Sequence, residues 1–264
     1  MSIVKGDTLE TMGRIGYAAK SLIYIAVGLL SANAAVSGGK ARDSRDVLQT
    51  VAEQPFGRIL LLALLAGIAC YATWRAILVF APNGRSGLSA WFVRGRSAIS
   101  AAVYFGLGIA AIGVLTGSGS SGGGESSARG WTAQLMAAPA GKWLVIMAGA
   151  ALAAYAVAQW RRAWTRSFEK TLGLSPLSST ARRTVTNMSA AGIAARGVAF
   201  GLAGVFLVRA GWHASPSQAR GLTGSLNALR DQPHGPWLLA VVAFGLAGYG
   251  VYCALKSRYG RIGD

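Results

Sequence analysis

Six stretches of this chain are each apolar for about the width of a lipid bilayer, and that property leaves few folds open. They lie at about 15–36, 58–80, 96–116, 142–161, 190–210 and 236–255. Crossing the hydrocarbon core as a helix takes roughly 20 predominantly apolar residues. The runs ILLLALLAGIACYATW (59–74), WLVIMAGAALAAYAVAQW (143–160) and PWLLAVVAFGLAGYGVYCAL (236–255) meet that requirement most clearly. Their length and lack of period-two alternation predict helix rather than strand. An open sheet facing lipid would also leave backbone groups unpaired.

Composition agrees. Of the 264 residues 53% are hydrophobic and 13% charged, whereas a soluble domain carries about 25% charged residues. The surplus apolar side chains need an apolar solvent. A signal peptide is a rival reading of the first stretch, with Lys5, Arg14 and Lys20 as its charged region and Ala32-Asn33-Ala34 as a cleavage site. The same pattern recurs twice further along, which argues for a span instead.

The stretches come in pairs, and the pairs repeat three times. KSLIYIAVG (20–28), SAAVYFGLG (100–108) and RGVAFGLAG (196–204) share an aromatic at Tyr24, Tyr104 and Phe200, then glycine four residues on at Gly28, Gly108 and Gly204. Pro55-Phe56-Gly57, Pro139-Ala140-Gly141 and Pro233-His234-Gly235 each open the second stretch. Fourteen residues past that glycine stands a tyrosine every time: Tyr71, Tyr155 and Tyr249. An alanine–arginine pair precedes each second stretch, at Ala41-Arg42, Ala128-Arg129 and Ala219-Arg220. A short run with helical spacing follows it, Val47, Leu48 and Val51 in copy one and Leu222, Leu226 and Leu229 in copy three. The repeats occupy 12–80, 88–164 and 184–258. Two crossings return the chain to its starting side, so all three copies point the same way. The expected architecture is therefore all-α, a six-helix polytopic membrane protein with pseudo-threefold symmetry about the membrane normal. Inverted-repeat transporters need units of opposite orientation.

With its aromatic and glycine in helix one, Ala-Arg, Pro-x-Gly and then tyrosine in helix two, the chain resembles the bacterial membrane family called domain of unknown function 1206. The resemblance covers nearly the whole chain in three copies. It implies three tandem two-helix domains in a bacterial plasma membrane, and it supplies no activity. The basic position of helix one is not uniform: Lys20 and Arg196 correspond, but copy two has Ser100.

Charge assigns the sides. The net charge is +17, yet the basic residues cluster beside apolar runs and no nucleic-acid-binding motif accompanies them, so nucleic acid is not an expected partner. Lys and Arg at membrane edges instead meet anionic headgroups. Placing 1–20, 75–96, 161–196 and 256–264 inside puts 17 of the 26 Lys and Arg there. Both termini are therefore expected in the cytoplasm. The outer stretch GSGSSGGGESS (117–127) reads as a flexible tether. WTAQLMA (131–137), with Trp131, reads as an interfacial segment.

Candidate sites are few. No Asp or Glu lies in the six stretches, which disfavours proton coupling at depth. Tyr71, Tyr155 and Tyr249 form the best-defined set, either a polar ring about the axis or helix-packing and interfacial groups. Lys20 and Arg196 are candidates for binding an anionic headgroup or solute. Their simpler reading is flanking charge, with Lys20, Arg75, Arg196 and Arg209 snorkelling to water. Gly28, Gly108, Gly204, Gly67 and Gly245 read as close-packing positions. Cys70 and Cys253 read as apolar fillers. His213 and His234, with Asp231, lack metal-site spacing. No metal, cofactor or catalytic set is expected.

Two functions follow as expectations. The first is a non-catalytic membrane component that packs with a partner protein, a second copy or lipids. The second is a passive path for a small neutral or anionic solute along the threefold axis. Mitochondrial carriers also have six helices in three pairs, but the proline and carboxylates of their odd helices are missing here.

Overall fold

Each apolar stretch forms one long helix, and a short helix lies between the two long ones of every repeat. The computed structural model describes residues 6–38, 41, 44–80, 88–117, 124–173 and 178–260. In chain order the helices are α1 (Gly6–Ser37), α2 (Ser44–Ala52), α3 (Gly57–Phe80), α4 (Leu88–Thr116), α5 (Gly124–Met136), α6 (Gly141–Trp164), α7 (Ser179–Trp212), α8 (Leu222–Arg230) and α9 (Gly235–Tyr259). The described residues contain no strand, only an isolated bridge between Leu172 and Gly260.

The six long helices are each long and apolar enough to cross a membrane. The shortest have 24 residues, which is about 36 Å of helix against a hydrocarbon core of roughly 30 Å. Leu22, Leu62, Ile109, Val157 and Phe244 are exposed on their outer faces, a surface that a surrounding layer of lipid makes favourable. Exposed tryptophans mark both edges. Trp131, Trp143, Trp212 and Trp237 lie at the end of the Pro-x-Gly turns, and Trp91, Trp160 and Trp164 at the end of the termini. Two such belts are what a membrane-spanning bundle shows. This is a multi-pass membrane protein.

α1 and α7 begin well ahead of their apolar windows, at Gly6 and Ser179. The extension of α1 is tied down: Arg14 donates to the carbonyls of Ser257 and Arg258 at 3.0 and 2.7 Å, and the Ser257 hydroxyl returns a bond to the Arg14 carbonyl at 2.7 Å. These contacts fill carbonyls left open at the end of α9.

The Pro-x-Gly turn is built identically three times. Its middle residue is left-handed, with φ of 61° at Phe56, 60° at Ala140 and 62° at His234. The glycine N–H then donates to the carbonyl of Gln54, Ala138 or Gln232, at 2.7, 2.9 and 2.7 Å. A Cβ on Gly57, Gly141 or Gly235 would collide with the carbonyl of Val51, Leu135 or Arg230 at the end of the short helix. Glycine is the residue that lets the short helix fold directly onto the mouth of the long one. The short helices in turn bury Val47, Leu48 and Leu226. Ala41 and Ala219 of the alanine–arginine pairs are buried with them, while Arg42 lies outside the described residues. Of the tether expected at 117–127, residues 118–123 lie outside the described residues and 124–127 belong to α5.

The long helices form one continuous series of contacts, α4–α3–α1–α9–α7–α6. Three of its steps join the first helix of one repeat to the second helix of another. Gly28 seats α1 on α9, where a Cβ would meet Ala247 N at 2.5 Å and Ala243 O at 2.6 Å. Gly204 seats α7 on α6, with Ala153 N and Gly149 O both at 2.9 Å. Gly108 has no such neighbour closer than 3.7 Å, so α4 sits on α3 more loosely than the packing expectation implied.

Two further steps are made within a repeat. The Ala19 Cβ stands 2.5 Å from where a Gly67 Cβ would be, and Ala195 presses on Gly245 in the same way. In the second repeat these positions are Ile99 and Ala151, both exposed, and α4 and α6 barely touch. The series therefore does not close at the α4/α6 seam, which departs from a threefold repetition.

Candidate functional site

The fold collects Lys20 and Arg196, the aromatic of each first helix and the tyrosine of each second helix on the inside of the bundle. A spacing of four puts Lys20, Tyr24 and Gly28 on one face of α1, and Arg196, Phe200 and Gly204 on one face of α7. Those glycines face partner helices, so the same stripe turns the cations inward. Tyr71, Tyr155 and Tyr249, fourteen residues past the turn glycine, sit about 21 Å along their helices from that end.

Lys20 is only 4% exposed. It donates to the Tyr71 phenol oxygen at 3.3 Å. Its ammonium lies 5.0 to 5.9 Å from the ring centres of Tyr17, Tyr24, Tyr71, Tyr104 and Tyr249. Arg196 donates to the phenols of Tyr155 and Tyr249 at 2.9 and 3.1 Å. Its guanidinium lies 4.8 to 5.8 Å from the rings of Tyr24, Tyr155, Phe200 and Tyr249. Both cations lie over Tyr24 and Tyr249, so they share one site. The Arg196 Nε is buried without a hydrogen-bond partner among the described residues. Ser100, at the equivalent place in α4, lies within hydrogen-bonding reach of the Tyr71 phenol.

Aromatic pairs knit the walls together across repeats. Ring centres are 4.7 Å apart for Tyr24 and Tyr249, 4.5 Å for Tyr104 and Tyr71, and 5.6 Å for Phe200 and Tyr155. A second tier stands four residues after each repeat tyrosine. Arg75 donates to Tyr71 at 3.1 Å and to Tyr17 at 3.4 Å, and Gln159 donates to Tyr155 at 2.7 Å. The third member of that tier is the buried Cys253. The i, i+4 spacing was legible in the sequence. The part played by Tyr17, Tyr104 and Gln159 was not, because it depends on which helices meet.

The snorkelling expected of Lys20, Arg75 and Arg196 is not what the structure shows. Their donors point to phenols inside the bundle, because their helix faces are the packed ones. Arg209, away from that stripe, is exposed. His213 ends α7 and His234 occupies the last Pro-x-Gly turn. No group of three His, Cys, Asp or Glu among the described residues is placed to hold a metal.

The electrostatics of the cluster are unbalanced. Residues 11–42, 54–124, 126–168, 170–230 and 232–263 contain no Asp or Glu, so no carboxylate reaches Lys20 or Arg196 from the middle of any long helix. Burying an ion without a partner costs several kcal/mol. A desolvated cation–π contact returns about 2 kcal/mol, and neutral phenol oxygens accept hydrogen bonds without cancelling charge. The rings and phenols hold the cations in place, and the site keeps a positive field.

The chain matches the family described as Domain of Unknown Function (DUF1206) in three segments, residues 15–81, 96–166 and 191–260. It is 32% identical over 267 residues to the uncharacterized protein YxxB of Bacillus subtilis (strain 168), an alignment that covers 98% of this chain and 95% of that protein. No solved structure matches it. The chain belongs to the DUF1206 family, as a threefold tandem repeat of its domain.

Proposed function

We propose that this is a non-catalytic protein of the bacterial plasma membrane whose interior binds an anionic group, carried by a lipid or a small solute, at Lys20 and Arg196. The observation that carries the reading is the pair of cations over the shared rings of Tyr24 and Tyr249, with no carboxylate to neutralise them. A phosphate or carboxylate group would supply the missing charge and an acceptor for the free Arg196 Nε. The basic bias of the segments at the terminal end favours cytoplasmic termini, which puts the site in the inner half of the bilayer. Binding is favoured over conduction because aromatic side chains fill the space around Lys20.

The test is thermal unfolding of the protein in dodecyl maltoside, an uncharged detergent, with inorganic phosphate or dodecyl phosphate added. A saturable rise in Tm with either probe is expected in the wild type and not in Lys20→Gln/Arg196→Gln. No rise in the wild type, or an equal rise in the variant, would contradict the reading.

A further inference from the structure

The seam between α4 and α6 is the one place where the chain of long helices is left open, and the sequence of the second repeat explains it. Three positions that close the hairpin in the other repeats change character there. Gly16 and Gly192, whose backbones press against Tyr71 and Tyr249, correspond to Arg96. Ala19 and Ala195 correspond to Ile99. Gly67 and Gly245, which receive those alanines, correspond to Ala151. The last two changes add bulk at a contact that tolerates none.

The exposure pattern follows. Ala19 and Ala195 are 6% and 9% exposed, while Ile99 is 69% exposed. In their most apolar stretches α4 and α6 bury 17% and 22% of their residues, against 33% to 56% in the other four long helices. The cluster is correspondingly less covered on this side. Tyr155 of α6 and Arg196 beside it are partly exposed, while Tyr71, Tyr249 and Lys20 are buried. The seam therefore leaves Ile99 and Ala151 exposed on the outside of the bundle, and Tyr155 with the Arg196 that donates to it are among the less covered members of the cluster.

We infer that the α4/α6 seam is a lateral portal through which the acidic headgroup of a membrane lipid reaches Arg196, the partly exposed member of the cation pair, with its acyl chain remaining between Ile99 and Ala151. The occupant is set by complementarity: an apolar slot open to lipid suits a hydrocarbon chain, and uncompensated cations at its inner end suit a phosphate-type anion. A zwitterionic headgroup would bring its own cation to a site that has too many. This inference rests on the anion-binding reading above and adds the route and the class of ligand.

Two measurements separate the inference from that reading. The protein is reconstituted in phosphatidylcholine nanodiscs containing phosphatidylglycerol, released into uncharged detergent, and retained lipid is counted by native mass spectrometry. Wild type is expected to keep phosphatidylglycerol in preference to phosphatidylcholine. Arg96→Gly/Ile99→Ala/Ala151→Gly, which gives the second repeat the small residues of its neighbours, is expected to lose at least tenfold of that preference while still gaining Tm from inorganic phosphate. Equal retention by the triple variant would overturn the portal. So would a wild type that responds to phosphate but keeps no anionic lipid. A wild type that responds to neither overturns the anion site itself. Because the triple variant need not fold, wild type is also treated with a photoreactive phosphatidylglycerol carrying its label on the acyl chain. Adducts concentrated on α4 and α6 are expected, and adducts spread evenly over the outer faces of all six helices would contradict the portal.

Discussion

Lys20 of the first repeat donates to the phenol of Tyr71, 51 positions along the chain, and this contact places an ammonium group inside a membrane bundle with a tyrosine rather than a carboxylate as its partner. An arrangement of this kind is poorly explained by stability. Buried charges are commonly neutral or unfavourable relative to apolar residues of the same size.

Lys20→Met is therefore expected to leave the solubilised protein as stable as wild type or more stable, by about 1 to 4 kcal/mol. Arg75 continues to donate to Tyr71 in that variant. Chemical or thermal unfolding in uncharged detergent measures the change. A loss of stability would mean that the cation is held for structural reasons.

The equivalent glycines of the three repeats are expected to differ in their response to alanine. Gly28→Ala forces a methyl group against the backbone of α9 and is expected to cost about 1 to 3 kcal/mol. Gly204→Ala does the same against α6. Gly108→Ala meets only ordinary contacts and is expected to lie within about 0.5 kcal/mol of wild type. Equal losses at all three would show that α4 packs on α3 as tightly as the other pairs do.

How much of this was legible in the sequence depends on whether a feature is local. The spans, the repeat and the short helices α2 and α8 could be read because apolar length, helical spacing and the Pro-x-Gly turn are properties of neighbouring residues, whereas α5 begins at Gly124, inside the Gly/Ser stretch that reads as a tether. The chain did not disclose which helices touch. Gly28 and Ala247 are seated against each other from opposite ends of the sequence, and no spacing records that. For the same reason Lys20 reads as an edge residue: it stands near the start of an apolar run, and only the packing of α1 on α9 and α3 turns it inward. The open seam is an intermediate case. Ile99 and Ala151 stand in the sequence where the other copies have alanine and glycine, but the meaning of that difference appears only when Ala19 is seen against Gly67.

The turn makes a separate prediction. Ala140 holds a left-handed conformation, with φ of 60°, which costs an ordinary residue roughly 1 to 2 kcal/mol. Ala140→Gly relieves it and is expected to stabilise by about 1 kcal/mol after the extra flexibility of the unfolded chain is counted. Gly141→Ala, one residue on, is expected to prevent α5 from folding onto α6 and to lower stability severely. Paired unfolding curves for the two variants test the assignment, and opposite signs are required.

Topology is tested with single cysteines in a background of Cys70→Ala/Cys253→Ala. Thiols introduced at Ser167 and at Ser257 are expected to react with a membrane-impermeant maleimide only after the cells are opened, and a thiol at Gln54 in intact spheroplasts. Labelling of Ser167 and Gln54 from the same side would break the two-crossing repeat.

The most direct test of the central claim is a cryo-electron microscopy map of the protein in nanodiscs that contain phosphatidylglycerol. Lys20 and Arg196 are expected to face the bundle interior, with density for an acidic group within hydrogen-bonding distance of the Lys20 ammonium or the Arg196 guanidinium. A map in which both side chains extend to the aqueous edge of the membrane, and the space between Tyr24 and Tyr249 holds protein alone, would contradict it.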